Sequence, residues 1–308
     1  MRHLPSRRAA AAYSLLFACF GLLGPTPLAA QTPAAATTAP LAHDQTLAVV
    51  WMQRAAEYQA ACLQAYRTAA AALPRAIEDL TWSACLEQGE RDRAANLPPA
   101  VVLDVDETVL DNSAFAARRI RANGGFDAKE WAAWVHEQQA GAIPGALAYV
   151  HAAQQLGARV IYVTNRKSDS DVAGAPSTEE SDTRANLRKL GFPIVENDGD
   201  DVVLTAGEIG DKAARRAKLC ERFRIVQLVG DNLGDFAPGT EPRKAEAAPH
   251  GLAVECAQVE RDRARLVEAF ASWWGERWIL IPNPCYGSFE AVVRGQTPGL
   301  GDALRVQH

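Results

Sequence analysis

The body of this chain has no long apolar run, no internal repeat, no surplus of basic residues and no histidine cluster. Against 37 Asp and Glu stand 32 Lys and Arg, a formal charge of −5. Residues 1–30 hold three arginines and no acid, so the remainder is more acidic still. That balance argues against nucleic acid as a partner, since a phosphate backbone demands basic surface. A small anionic ligand needs only a local positive site and is not excluded. Of six scattered histidines, His136 and His151 read as helix-surface residues rather than ligands. Five cysteines follow the first 30 residues, Cys62, Cys85, Cys220, Cys256 and Cys285, at spacings that match no zinc pattern. An odd count leaves one free or paired between chains in an oxidising compartment. Proximity in sequence suggests Cys62 with Cys85.

What is present begins with an export signal. Arg2, Arg7 and Arg8 precede an apolar stretch, Ala9–Leu23, that is short for a membrane span, and Leu28-Ala29-Ala30 fits small-residue cleavage. Leu16-Phe17-Ala18-Cys19 offers a second, lipoprotein-type site that would place a lipid anchor on Cys19, and Ser6-Arg7-Arg8 hints at twin-arginine export. Residues 31–42, rich in Ala, Thr and Pro, read as a flexible tether. The expected domain runs over 43–308, and the 308 residues, 48% of them apolar, suffice for one sizeable core or two small domains.

Apolar spacing predicts one long helix from His43 to Leu73, ended by Pro74. Residues 74–99 are polar, with Trp82 and Leu86 as anchors. Short apolar runs predict strands at 100–103, 159–163, 202–204, 225–229 and 278–281. Helices are expected between them: a helical region over 115–158 with Trp131, Trp134 and Val135 on one face, one from Thr178 or Ser177 to Leu190 with Glu180 in a capping box, one at 212–222 and one at 259–274. Strands alternating with helices imply an α/β fold with a parallel sheet covered on both faces.

The organising stretch is Asp104-Val105-Asp106-Glu107-Thr108, delivered by the first strand. At the carboxyl edge of an open α/β sheet ligands bind, and two nearby carboxylates repel unless a cation or proton separates them. Mg²⁺, a hard cation, would suit carboxylate oxygens. A solvated turn or a structural calcium loop would also account for these five residues. Two further strands end alike, in Thr164-Asn165 and in Asp231 with Asp235, and Lys212 opens the helix before the latter. Polar groups of these types at successive strand ends suit phosphoryl transfer.

That order resembles the haloacid dehalogenase superfamily, and more closely its class C bacterial acid phosphatases, the lipoprotein e group. The motifs are Asp-Val-Asp-Glu-Thr-Val-Leu-Asp-Asn-Ser (104–113), Tyr-Val-Thr-Asn-Arg (162–166), Lys-Ala-Ala-Arg (212–215) and Val-Gly-Asp-Asn-Leu-Gly-Asp-Phe (229–236), within a likeness covering about 45–295. Departures are Phe115 where an aromatic hydroxyl is common, Cys285 in the last loop and the weak lipidation site. The resemblance implies a Rossmannoid parallel sheet with an N-terminal helix and a small helical cap insertion at about 114–145. It implies Asp104 as nucleophile and Asp106 as acid and base. Mg²⁺ would sit on Asp104, the carbonyl of Asp106 and Asp231, with Asp235 a direct ligand or acting through water. Thr164, Asn165 and Lys212 would hold phosphate, although Lys218 lies close enough to confuse that choice. Trp131 and Tyr286 would flank the leaving group, unless both are ordinary core aromatics. The implied substrate is a nucleoside monophosphate or aryl phosphate, the implied assembly a homodimer, and the implied location the periplasm or outer membrane. A histidine-based phosphatase would need an arginine–histidine signature that is missing here. The alternatives are a surface binding lipoprotein for haem or a nucleotide cofactor, and a phosphotransferase using the same residues.

Overall fold

The computed structural model describes residues 44–89, 94–169, 178–194, 203–206, 212–242 and 251–306. The expected signal (1–30), tether (31–42), Cys19, His43, Ser177 and Val202 lie outside the described residues.

Five apolar runs form one sheet: β1 (Pro99–Leu103), β4 (Arg159–Lys167), β5 (Val203–Ala206), β6 (Arg224–Gly230) and β7 (Trp278–Leu280), with β2 (Leu110–Asp111) and β3 (Gly141–Ala142) as a separate antiparallel pair. The sheet order is β5-β4-β1-β6-β7 and every neighbouring pair is parallel. All strand carboxyl ends therefore lie on one edge. The chain works outward from β1 to β5 on one side, then crosses to β6 and β7, so the reversal of strand order falls at β1. Leu103 pairs with Tyr162 of β4 and Val229 of β6, which brings the ends of these three strands side by side.

Alternation divides the core in two, and a bulge in β6 beside Val226, where the register with β1 shifts, breaks the period-two pattern on that strand. Val101, Leu103, Val160, Tyr162, Val226 and Val229 face one apolar layer, while Ala100, Val102, Ile161, Val163, Ile225 and Leu228 face the other. The first layer is closed by α1 (Thr46–Arg54), α2 (Ala56–Glu78) and α5 (Ala146–Gln155), and α6 (Glu179–Lys189) adds Leu187. The second receives Leu219 and Cys220 of α7 (Lys212–Cys220), Leu266 of α8 (Leu252–Ala269), and an aromatic cluster of Phe236, Phe270, Trp274 and Trp278 with ring centroids 4.7–5.6 Å apart. Between β2 and β3 stand α3 (Ser113–Arg121) and α4 (Ala128–Glu137), an insertion closed at its base by that two-stranded ladder.

Several local expectations are corrected. The long N-terminal helix is two, because Ala55 is extended (φ −83°, ψ 128°) and redirects the chain. α1 then packs on α3 while α2 packs on α5 and β6, which a straight helix could not do. Pro74 sits inside α2 rather than ending it. The buried Arg224 guanidinium donates to the carbonyls of Ala76 (2.9 Å), Ile77 (2.7 Å), Asp79 (3.1 Å) and Trp82 (3.2 Å), supplying the last turn with a cation and donors. Neither Thr178 nor a capping box caps α6; Asp169, beyond β4, accepts from the backbone N–H of Glu180 at 3.0 Å. α8 begins seven residues before its expected start, since Cys256 packs with Val292 of α9 (Ser288–Arg294). Leu86 is exposed, leaving Trp82 as the anchor of its segment.

The cysteine expectation also changes. Cys62 is buried in α2, whereas the Cys85 and Cys220 sulfurs lie 3.0 Å apart between two segments distant in sequence. Peptide mapping after oxidation with glutathione disulfide is expected to recover Cys85 linked to Cys220; a Cys62–Cys85 link would contradict this.

Candidate active site

Asp104 leaves β1 with its N–H on the Val229 carbonyl (2.9 Å), so the backbone ladder with β6 aims its carboxylate. The following turn is tied down by two hydrogen bonds. Glu107 takes a left-handed backbone (φ 56°), its buried carboxylate accepts from Asn112 N–H at 2.9 Å, and Tyr66 of α2 donates to the Thr108 carbonyl at 2.6 Å. Gly145 (φ 93°) lets the chain pass against Tyr66 at the start of α5, where a Cβ would press on that ring.

Thr108 Oγ1 donates to Asp104 at 3.2 Å, and Lys212 Nζ donates both to Asp104 and, at 2.6 Å, to Asp235. Asp235 is held from the other side by Asn232 N–H (3.0 Å) in a 3-10 turn after β6. Gly230 is required there, since a Cβ would collide with the Asp235 carboxylate. Asp231 accepts from Asn283 Nδ2 at 2.7 Å. One oxygen from each of Asp104, Asp231 and Asp235 lies within 4.8 Å of the others.

Three carboxylates facing a single ammonium are under-neutralised. Burial, then repulsion from Asp235 and Asp106, pushes Asp104 up to about 7 despite Lys212. Burial and the charges of Asp104 and Asp235 push Asp231 well above the usual carboxylate range. Burial works against the Lys212 charge, but Asp104 and Asp235 outweigh it and hold the ammonium well above its ordinary value. A cluster of hard oxygen donors short of positive charge fits a divalent cation such as Mg²⁺.

Asp106 points elsewhere. Its carboxylate accepts from Arg166 Nη2 (2.7 Å) and Nε (3.1 Å), from Asn112 Nδ2 (2.9 Å) and from Thr164 Oγ1 (3.4 Å). Trp134 of α4 fixes Asn112 through an Nε1 bond of 2.8 Å. Asp104, Asp106, Trp131, Asn165, Lys212, Asp231, Asp235 and Tyr286 all line one cavity of about 1080 Å³.

With this geometry in view, the profile of the HAD superfamily, subfamily IIIB (acid phosphatase) matches residues 24–289. The chain belongs to this family. Two structures of the class C acid phosphatase of Bacillus anthracis share its fold. The one with tungstate bound is 27% identical with a TM-score of 0.64, covering 84% of this chain and 92% of that one. The other is 28% identical with a TM-score of 0.62, covering 82% and 89%. The stem 28 kDa and stem 31 kDa glycoproteins of Glycine max are each 26% identical over 154 residues, 48% of this chain. The chain spans about half the length of these curated relatives, 57% and 50% respectively.

In this HAD-family chain the sequence-derived residues divide into two clusters and three residues set apart at the cavity. Asp104, Lys212, Asp231 and Asp235 form one charged cluster. Asp106 and Thr164 form a second, and Thr164 is fully buried, with its hydroxyl also accepting from Arg166 N–H at 3.1 Å. Asn165 is exposed at the cavity edge with its Oδ1 held by Arg215. Lys218 is exposed, and Lys212 is the lysine that reaches Asp104 and Asp235. Trp131 packs edge-on to Phe115 (5.2 Å, 76°) while lining the cavity, and Tyr286 stands 38% exposed at its mouth. Sequence reading missed three participants. Both arginines lie inside the quoted motifs: Arg166 was legible as a cation at a polar strand end, and Arg215 as a second cation one turn after Lys212 on α7. Phe126, 74% exposed and 6.3 Å from Trp131, gives no signal in a turn-like segment.

Proposed function

We propose that this chain is an exported, Mg²⁺-dependent acid phosphatase that hydrolyses phosphomonoesters, 5'-nucleotides and aryl phosphates among them, through an aspartyl-phosphate on Asp104. The observation that carries the reading is Lys212 bridging Asp104 and Asp235 at the cavity wall, with Asp231 close enough to share a cation with both. Asp104 attacks phosphorus, and the pair of electrons in the breaking P–O bond stays with the leaving oxygen, which takes a proton from Asp106. Asp106 then removes a proton from the water that cleaves the acyl-phosphate. Lys212 keeps Asp104 oriented and offsets charge on the equatorial oxygens. Asp104, Asp231 and the Asp106 carbonyl would hold Mg²⁺, with Asp235 bound directly or through water. When bound, the ion offsets the repulsion between carboxylate and phosphate and polarises the phosphate oxygens.

The relative that binds tungstate, an oxyanion shaped like phosphate, supports an oxyanion site. Trp131, Phe126 and Tyr286 offer stacking faces to a base or phenyl ring, worth about 1–3 kcal/mol per base. The leader supports export to the periplasm, with Cys19 as an outer-membrane anchor if it is lipidated, and the family likeness supports a homodimer. Nothing favours haem, since no His, Met or Cys lines the cavity among the described residues. Assay with p-nitrophenyl phosphate is expected to show turnover that falls at least about 100-fold on metal removal and returns with Mg²⁺; activity unchanged after thorough chelation would overturn the reading.

A further inference from the structure

Arg166 is a charged side chain almost sealed from solvent, 2% exposed, at the carboxyl end of β4. Its guanidinium is fixed on every side. Nη2 and Nε grip Asp106 Oδ1 at 2.7 and 3.1 Å, and Nε also reaches Oδ2 at 3.3 Å. Nη1 donates to Thr183 of α6 at 2.9 Å, and the group lies 5.3 Å from the Trp131 ring centroid. Nη2 further approaches Asn112 Oδ1 at 3.4 Å, the same amide oxygen that Trp134 holds. The insertion helix α4, the strand end and α6 thus meet at one planar cation.

We propose that Arg166 is the positioning residue for leaving-group protonation: it sets the orientation of the Asp106 carboxyl and ties it to the Trp131 wall. The proposal rests on the reading of Asp106 as the acid. A two-point contact fixes a carboxylate's rotation as well as its place, which an ammonium cannot do. Through Trp131 the same group couples the acid to the surface against which the leaving group would lie. As the P–O bond breaks and the leaving oxygen takes its proton from Asp106, the guanidinium contact holds that carboxyl in one orientation. The phosphate itself is handled by a different cation, Lys212, whose bonds go to Asp104 and Asp235.

Leaving groups separate this role from a structural one. A nitrophenolate departs without help, whereas an alkoxide needs its proton. Full-length protein with Mg²⁺ is assayed on p-nitrophenyl phosphate and benzyl phosphate, matched in ring size. R166K is expected to lose about 100-fold in kcat/KM on benzyl phosphate and under about 10-fold on p-nitrophenyl phosphate, within the range that a general acid contributes. Inhibition by inorganic phosphate should stay within about threefold, since Arg166 is assigned no phosphate contact. Equal losses on both esters, no loss, or phosphate inhibition weakened more than tenfold would overturn the proposal. T183V, which loosens the far side of the guanidinium without touching Asp106, is expected to show a smaller loss with the same preference, and keeps the test open if R166K does not fold. D106N serves as control. Its selective loss on benzyl phosphate, with none in R166K or T183V, would sink the positioning role alone; no selectivity in D106N would sink the acid assignment beneath it.

Discussion

Asp104→Asn is expected to lower kcat by at least about 10⁴-fold while the protein stays folded, because a carboxamide oxygen is too weak a nucleophile to form the acyl-phosphate. The stability of the variant is a second signature. Asp104 sits 7% exposed among other acids, and its ordinary ionisation is pushed up to about 7, so at higher pH the folded chain carries an unfavourable charge there. Asparagine removes that charge and keeps the shape. Free of metal at pH 8, the variant should therefore melt at or above the wild-type temperature, in contrast to an ordinary core substitution. Turnover assays and thermal melts check both parts. Turnover within tenfold of wild type would refute the nucleophile, and a large fall in melting temperature would refute the electrostatic account.

The acid cluster also predicts how metal and pH act together. An unfolded aspartate titrates near 3.9, whereas folded Asp104 is raised to about 7 and Asp231 well above its usual range, both first by burial. Between those values the folded state binds more protons than the unfolded one, so stability falls as pH rises from about 4 to about 7. This is the opposite sign to a carboxylate whose ion pair outweighs its burial; at Asp104, burial and the neighbouring acids outweigh Lys212. Above that window the cluster is a standing cost in the metal-free protein. A divalent cation binds the ionised carboxylates and competes with protons, so its effect should grow with pH. At 100 times its dissociation constant it would add about 2.7 kcal/mol at pH 7.5, a rise of roughly 5–10 °C for a domain of this size, and clearly less at pH 5. Melting with Mg²⁺ and with chelator at both pH values measures this. Equal shifts, or none, would contradict it.

The parts legible in the sequence were those set by short-range pattern. Apolar runs at 100–103, 159–163 and 225–229 announced buried parallel strands, and the polar residues closing them announced the edge where chemistry could gather. Pattern alone misplaced features that depend on distant partners. Pro74 reads as a stop, but Arg224, far along the chain, supplies donors that carry α2 one turn further. Thr178 reads as a cap, but Asp169 does the capping. Cys62 and Cys85 are near in sequence, but Cys85 meets Cys220. The sequence favoured Lys212 with Lys218 close enough to confuse the choice, and the fold places Lys212 against Asp104 and leaves Lys218 in water.

The sequence by itself determined the α/β class, the two aspartates after β1 and the acidic pair after β6, because strand periodicity and strand-end composition are local properties. Tertiary structure alone decided that Asp106 turns from Asp104 toward Arg166, and that Lys212 stands between Asp104 and Asp235. The physical reason is that a charge is oriented by whichever opposite charge packing brings near it, and β1, β4, β6 and α7 become neighbours only when the sheet closes.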